Sequence, residues 1–178
     1  MYFRGNDHCF PINSRVMTSA ISESIVRKDF PYRAEGLLEI TPHTFKTMVD
    51  FVDVPDKPCL MLVRHPLDKV KSALAFIGIK DYVKVVIDGL KNNKDFLNRD
   101  HFRRQSDYVK DVADAGQTLT CFAYPEQVPA FQVAAGFTTP FVTLNESTGE
   151  KPELTEEQEE FFLEYYAKDL ELYNSLSS

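Results

Sequence analysis

Apolar positions along the chain fall into two kinds of run. Three are short and continuous: "CFPI" at 9–12, "PCLMLV" at 58–63 and "LTCFAY" at 119–124. Runs of that length and continuity predict strands buried on both faces. Other stretches repeat at helical spacing. In "NSRVMTSAISESIV" the positions are Val16, Ala20, Ile21 and Ile25; within 81–92 they are Tyr82, Val85, Val86 and Leu90. Thr41 before Pro42 predicts a helix start, with a capping hydroxyl and proline in the first helical position, and a helix running through "HTFKTMVDFV". A further helix is predicted from Pro66. The polar stretch "NNKDFLNRDHFRRQSDYV" predicts a loop plus a short helix. "PEQVPAFQVAAGF" predicts a short helix closed near Gly136.

The C-terminal segment predicts one long helix. Thr155 and Gln158 have the spacing of a capping box, and acids crowd the first turn, where the helix dipole favours them. Phe162, Tyr166, Leu170 and Tyr173 form an apolar stripe, with the acids read as a solvated face and Glu164–Lys168 as an i,i+4 pair. Strands alternating with helices predict an α/β fold with a mainly parallel sheet. In such sheets ligands sit beyond the carboxyl ends of strands. Attention therefore falls on the turns after "CFPI" and after "CLMLV".

Composition narrows the function classes. The 178 residues suffice for one domain with a core, and 43% apolar with 26% charged residues is ordinary for a globular protein. No run reaches membrane-spanning length and the N-terminus does not resemble a signal peptide, so the expectation is a cytoplasmic protein. Three widely spaced cysteines predict neither a disulfide framework nor a zinc site, and Cys9 and Cys59 are expected to be buried thiols. The net charge of −7 comes wholly from residues 150–178, with nine acids and two bases; residues 1–149 balance at 18 of each. That balance leaves room for a local anion site. It lacks the extended basic face that nucleic-acid binding needs.

Each turn carries the chemistry for a phosphate, because a helix N-terminus presents unpaired N–H groups and partial positive charge. After the first strand come Arg15, Thr18 and Ser19, a cation and adjacent hydroxyls on an opening helical turn. Capping hydroxyls open many helices, so this pattern alone leaves a structural role open. The glycines and Gly-Lys-Ser/Thr ending of a Walker A loop are missing. After the second strand, Arg64 stands at the strand end and Pro66 presets the helix. Ser72, eight positions on, lies two turns along and faces the same ligand, and Lys69 adds charge. The alternatives are a strand-end salt bridge for Arg64 and a packed small residue for Ser72.

The stretch "VRHPLDKVKSALAF" resembles the 3′-phosphate-binding segment of the sulfotransferases, R-x-P-x-x-R-x-x-S-x-Y/F. Arg64, Pro66 and Ser72 match; Lys69 replaces the second arginine and Leu74 the aromatic. "RVMTSAI" is similar to the family's 5′-phosphosulfate loop, with Arg15 for its lysine, Thr18 and Ser19 for its hydroxyl pair, and Met17 where a small residue is usual. "HFRRQSDYV" resembles the H-F-x-P-Q segment of the carbohydrate sulfotransferases, and the C-terminal segment resembles their closing Tyr-x-x-Asp-x-x-Leu/Phe-Tyr/Phe helix. The resemblance implies a P-loop-NTPase-like three-layer fold in which a short, mainly parallel sheet is flanked by helices, as a single domain over 1–178.

It also implies the cofactor PAPS (3′-phosphoadenosine 5′-phosphosulfate), held by Arg15, Val16, Met17, Thr18, Ser19, Arg64 and Ser72. The reaction would move a sulfonate to a hydroxyl or amine of a small-molecule or glycan acceptor, without a metal. Arg15 would neutralise the leaving phosphate, as cations do in phosphoryl transfer. The expected base lies between the two turns, with His43, Glu39 and Glu35 as candidates, and His101 is a second candidate whose milder role is acceptor binding. His101 and Arg104 are candidates for acceptor binding, although the acids Asp95, Asp100 and Asp107 balance their basic cluster, and His65 is expected to orient its loop. Two other classes stay open: a nucleotide-binding module without turnover, and a small kinase-like enzyme. No nucleic-acid or membrane partner is expected, and the oligomeric state is left open.

Overall fold

A computed structural model describes residues 1–29, 51–77, 82–93, 95, 101–138, 141 and 151–177. Five strands form one sheet: β1 (Tyr2–Arg4), β2 (Cys9–Pro11), β3 (Phe51–Val52), β4 (Cys59–Arg64) and β5 (Leu119–Tyr124), in the order β3-β1-β2-β4-β5. Seven helices are described: α1 (Thr18–Asp29), α2 (Pro66–Ile77), α3 (Tyr82–Lys91), α4 (Gln105–Asp114), α5 (Val128–Ala134), α6 (Glu156–Tyr165) and α7 (Ala167–Leu176). The fold is α/β, with a mixed five-stranded sheet that is parallel in its core and flanked by helices. β2, β4 and β5 run parallel, while β1 pairs antiparallel with both β2 and β3. The antiparallel part was not predicted because β1 is only three residues long and "YFR" has no turn signal other than the Gly5 region.

Alternation along β4 explains the layering. Leu60 and Leu62 face a core with Phe10 of β2, Ile21 and Ile25 of α1 and Phe131 of α5. Met61 and Val63 face the opposite layer, against Tyr108 of α4 and Leu172 of α7. Successive strand side chains point to opposite faces, so a run apolar at every position needs helices on both sides. α2, α3 and α6 share a further cluster, with Val70, Leu74, Val86, Leu90 and Phe162 among its buried members.

Several predicted elements are corrected. β5 is the edge strand, and only Ala123 along it is fully buried, so it is not a third strand covered on both faces. Phe51 and Val52 are strand, not the end of a helix; the predicted start at Thr41–Pro42 lies outside the described residues. The helix after "HFRR" runs ten residues, and Gly116 closes it in the left-handed conformation (φ 70°), with Gly116 N–H donating to Ala113 and Gln117 N–H to Val112. Gly136 (φ 67°) closes α5 in the same way, as expected.

The C-terminal helix is two helices. The capping box at Thr155 and Gln158 is present with both hydrogen bonds, at 3.3 and 3.0 Å. The chain then bends at Tyr166 (φ −102°, ψ 26°), whose buried hydroxyl donates to the Phe102 carbonyl at 2.6 Å. Glu164 and Lys168 flank this bend and make no ion pair among the described residues. Nor are all the acids solvated: Asp169 is 0% exposed, and Glu159 pairs with Lys71 at 2.6 Å. Cys9 and Cys59 are free, buried and opposite each other across β2 and β4, as expected of packed thiols. No helix among the described residues is long and apolar enough to cross a membrane.

Candidate functional site

The strand order directs attention to the carboxyl ends of β2 and β4. After β2 the next strand is β3, at one edge of the sheet; after β4 it is β5, at the other edge. Adjacent parallel strands whose continuations diverge leave a crevice at their carboxyl ends. The two turns singled out in the sequence both stand there.

The first turn is held by its own backbone. Asn13 N–H donates to Pro11, Ser14 N–H to Ile12 and Val16 N–H to Asn13, while the Thr18 hydroxyl donates to the Asn13 carbonyl at 2.8 Å. Arg15 (φ 67°) and Met17 (φ 52°) both adopt the left-handed region, which costs roughly 1–2 kcal/mol for each L-residue. The tethers that hold this geometry are visible. Val16 is 2% exposed and seated in the core, Met17 packs against the same cluster, and Arg64 Nη1 donates to the Arg15 carbonyl at 3.1 Å. Val16 can therefore offer a ligand only its backbone. The Met17 side chain lies against the core instead of filling the crevice.

The second turn meets the first through side chains. Arg15 Nε and Nη2 lie 3.3 and 3.2 Å from Ser72 Oγ. Ser72 accepts both bonds, and its own proton has no acceptor among the described residues. The Arg15 guanidinium also sits 4.6 Å over the ring of Phe76, one helical turn beyond Ser72, and that of Arg64 lies 5.3 Å from the ring of Tyr124. No carboxylate among the described residues pairs with either arginine. Burial, and after it the charge on Arg64, push the Arg15 guanidinium below its ordinary value. Two neighbouring cations without an acid make a place where an anion is favoured. The resemblance assigned Arg15 and Ser72 to separate phosphates; in this structure they touch, so the two expected seats form one cluster.

The other lysines of the second turn are committed elsewhere. Lys69 is 2% exposed and donates to the Arg103 carbonyl, so it does not supplement Arg64. Burial lowers its ammonium to about 8, against a smaller opposing pull from Asp169. Lys71 pairs with Glu159. The His65 ring stands edge-on to Tyr173, 5.5 Å between centroids. His101 meets Phe76 edge-on at 5.1 Å, so that ring contacts both His101 and Arg15. Arg104 stacks at 4.2 Å on Tyr165, outside the cluster, and Ser19 follows Thr18 in the first turn of α1. The proposed bases His43, Glu39 and Glu35 lie outside the described residues.

Sequence reasoning missed the buried frame beneath the cluster. Gln105 is 0% exposed: its Oε1 accepts from Arg64 N–H at 2.9 Å and Asn13 Nδ2 at 3.0 Å, and its Nε2 donates to the Arg64 carbonyl at 2.7 Å. Asn13 Nδ2 also donates to the Leu62 carbonyl at 2.9 Å. Asp169 accepts from the N–H groups of Gln105 and Ser106 at 2.7 and 2.8 Å, satisfying the orphan donors at the start of α4. The usable signal was the glutamine directly after Arg103 and Arg104, the Gln of the segment that resembles H-F-x-P-Q. Among the described residues no group of His, Cys, Asp or Glu is arranged to hold a metal.

No family model matches the chain, and neither a curated protein nor a solved structure matches it.

Proposed function

We propose that the chain is a PAPS-dependent sulfotransferase domain, P-loop-NTPase-like, that seats the nucleotide across the turns after β2 and β4. The observation that carries this reading is the meeting of Arg15, Arg64 and Ser72 at the carboxyl ends of adjacent parallel strands, without a carboxylate among the described residues. A second observation supports it. The two C-terminal segments that resemble carbohydrate sulfotransferases are hydrogen-bonded to each other, Tyr166 to Phe102 and Asp169 to Gln105.

On this reading Arg64 and Ser72 take the 3′-phosphate: the guanidinium offers a fork of N–H donors and the serine a hydroxyl donor. Arg15 leaves Ser72 to neutralise charge on the phosphate that departs as the sulfonate moves to the acceptor oxygen or nitrogen. Phe76 and His101 border the space open to the acceptor, a small molecule or glycan. A base from 35–43 removes the acceptor's proton.

A nucleotide-binding module without turnover is the second reading, favoured by the bond of Arg15 to Ser72 in place of an outward position. A transfer assay from radiolabelled PAPS to sugars, phenols and amines separates the two. Label in any acceptor supports the transferase. Binding of PAPS with no transfer to any acceptor supports the module.

A further inference from the structure

The two turns touch each other directly, and a third element also holds them both. The side chains of α4's first turn reach both. Gln105 clasps the peptide N–H and carbonyl of Arg64 at the end of β4 and accepts from Asn13 just past β2. Tyr108, one turn on, donates its hydroxyl to the Ile12 carbonyl at 2.8 Å, also just past β2. Positions i and i+3 share a helix face, so a single rigid turn spans two strand ends. α4 is itself pinned from behind by the Asp169 carboxylate on its first two N–H groups and by the Tyr166 bond to Phe102.

All the clasping groups are deeply buried: Gln105 at 0%, Asn13 at 2% and Tyr108 at 3% exposed. Buried polar groups are strongly held to their partners, because losing one strands a donor or acceptor in a low-dielectric interior. Arg64's backbone is fixed on both sides by one amide, so its guanidinium starts from a fixed root. That root carries the bond to the Arg15 carbonyl, and Arg15 carries the bond to Ser72.

We propose that Gln105, with Tyr108, is a positioning residue for the anion cluster. Its amide sets the separation of the β2 and β4 turns, so that Arg15, Arg64 and Ser72 converge on one ligand. The inference rests on the nucleotide reading only for its probe, adenosine 3′,5′-bisphosphate; the geometry it explains is present without ligand.

The test uses the full chain with Gln105→Met, which keeps length and burial, and Tyr108→Phe, which removes one hydroxyl and folds even where the first variant does not. Two readouts are taken. In the absence of ligand, the Arg15 Nε–H proton, bonded to Ser72, is followed by NMR exchange. The proposal expects faster exchange in both folded variants by about tenfold or more, since proton exchange follows local opening. With the bisphosphate, calorimetry is expected to show about tenfold weaker binding for Tyr108→Phe. In an Arg64→Ala background the same change is expected to cost less than about twofold, because coupled residues are not additive.

Unchanged Arg15 exchange in a folded Tyr108→Phe chain overturns the proposal. So does an equal loss of affinity with and without Arg64. If the wild-type chain does not bind the bisphosphate, the nucleotide reading fails and the exchange measurement still decides the role of α4.

Discussion

Arg15 and Ser72, 57 positions apart in the chain, are joined by two hydrogen bonds at 3.3 and 3.2 Å, and Arg64 holds the carbonyl of the same Arg15. The contact joins the first turn to the second and leaves two cations side by side. Burial and the neighbouring charge both disfavour the Arg15 cation. An anion entering the crevice reverses that penalty, so the cluster is best suited to a ligand that brings negative charge.

The first prediction concerns the cations singly. Arg15→Met removes a cation that the fold disfavours and two bonds that it uses. These offset, so the melting temperature of the free chain is expected to move by no more than about 4 °C, the scale set by about 1 kcal/mol in a domain of this size. Stabilisation by millimolar inorganic phosphate is expected to vanish. A thermal melt with and without phosphate checks both; retained phosphate stabilisation shows that Arg15 is not part of the anion site.

Ser72→Ala removes a single donor. One hydrogen bond of this kind is worth about 1 kcal/mol, so bisphosphate binding is expected to weaken about fivefold, with little change in its salt dependence. Arg64→Ala is expected to weaken it further and flatten the dependence on salt. Calorimetry at two ionic strengths distinguishes the two outcomes.

Lys69 makes stability depend on pH. Its folded value is lowered to about 8 from an ordinary 10.5, so between those limits the unfolded chain holds more protons. Stability contributed through Lys69 therefore rises with pH from about 8 to 10.5, and its cost is constant below 8. Cys59 and Cys121, raised to about 12 by burial, act oppositely: their contribution is present below the ordinary thiol value and is lost as pH rises toward 12. The difference between wild type and Lys69→Met in urea unfolding isolates the lysine. Relative to Lys69→Met, the wild type is expected to gain stability over that window, at up to about 1.4 kcal/mol per pH unit. A pH-independent difference refutes this.

Asp169→Ala takes the acceptor from two N–H groups of α4 and removes the charge that most favours the Lys69 ammonium. A loss of about 3 kcal/mol is expected in urea unfolding, and a smaller one for Asp169→Asn, which keeps an acceptor. Equal stability of Asp169→Ala and wild type shows that the carboxylate does not hold the frame.

Particular residues show what the chain made legible. "CLMLV" reads as strand because each position is apolar, and the structure covers both faces of it. Thr155 and Gln158 read as a cap from local spacing alone, and local bonds fulfil it. Arg64 at a strand end and Pro66 opening the next helix were legible because an apolar run stops there and proline presets the turn. Arg15's bond to Ser72 was not legible, since it depends on how two distant turns approach. Gln105 and Asp169 stood in segments that resemble the family, but their bond and burial were missed for the same reason: both depend on how two distant elements pack. The break at Tyr166 hid inside a regular apolar stripe; the residue's hydroxyl bonds to Phe102, 64 positions earlier, a partner that local spacing does not reveal.

The most direct test of the central claim is a calorimetric titration of adenosine 3′,5′-bisphosphate into the wild-type chain and Arg64→Ala, with ATP as the comparison. The account predicts one saturable site in the wild type, binding weaker by about 100-fold in Arg64→Ala, and a preference for the bisphosphate over ATP. No binding of the bisphosphate to the wild type, or equal binding to both chains, would contradict it.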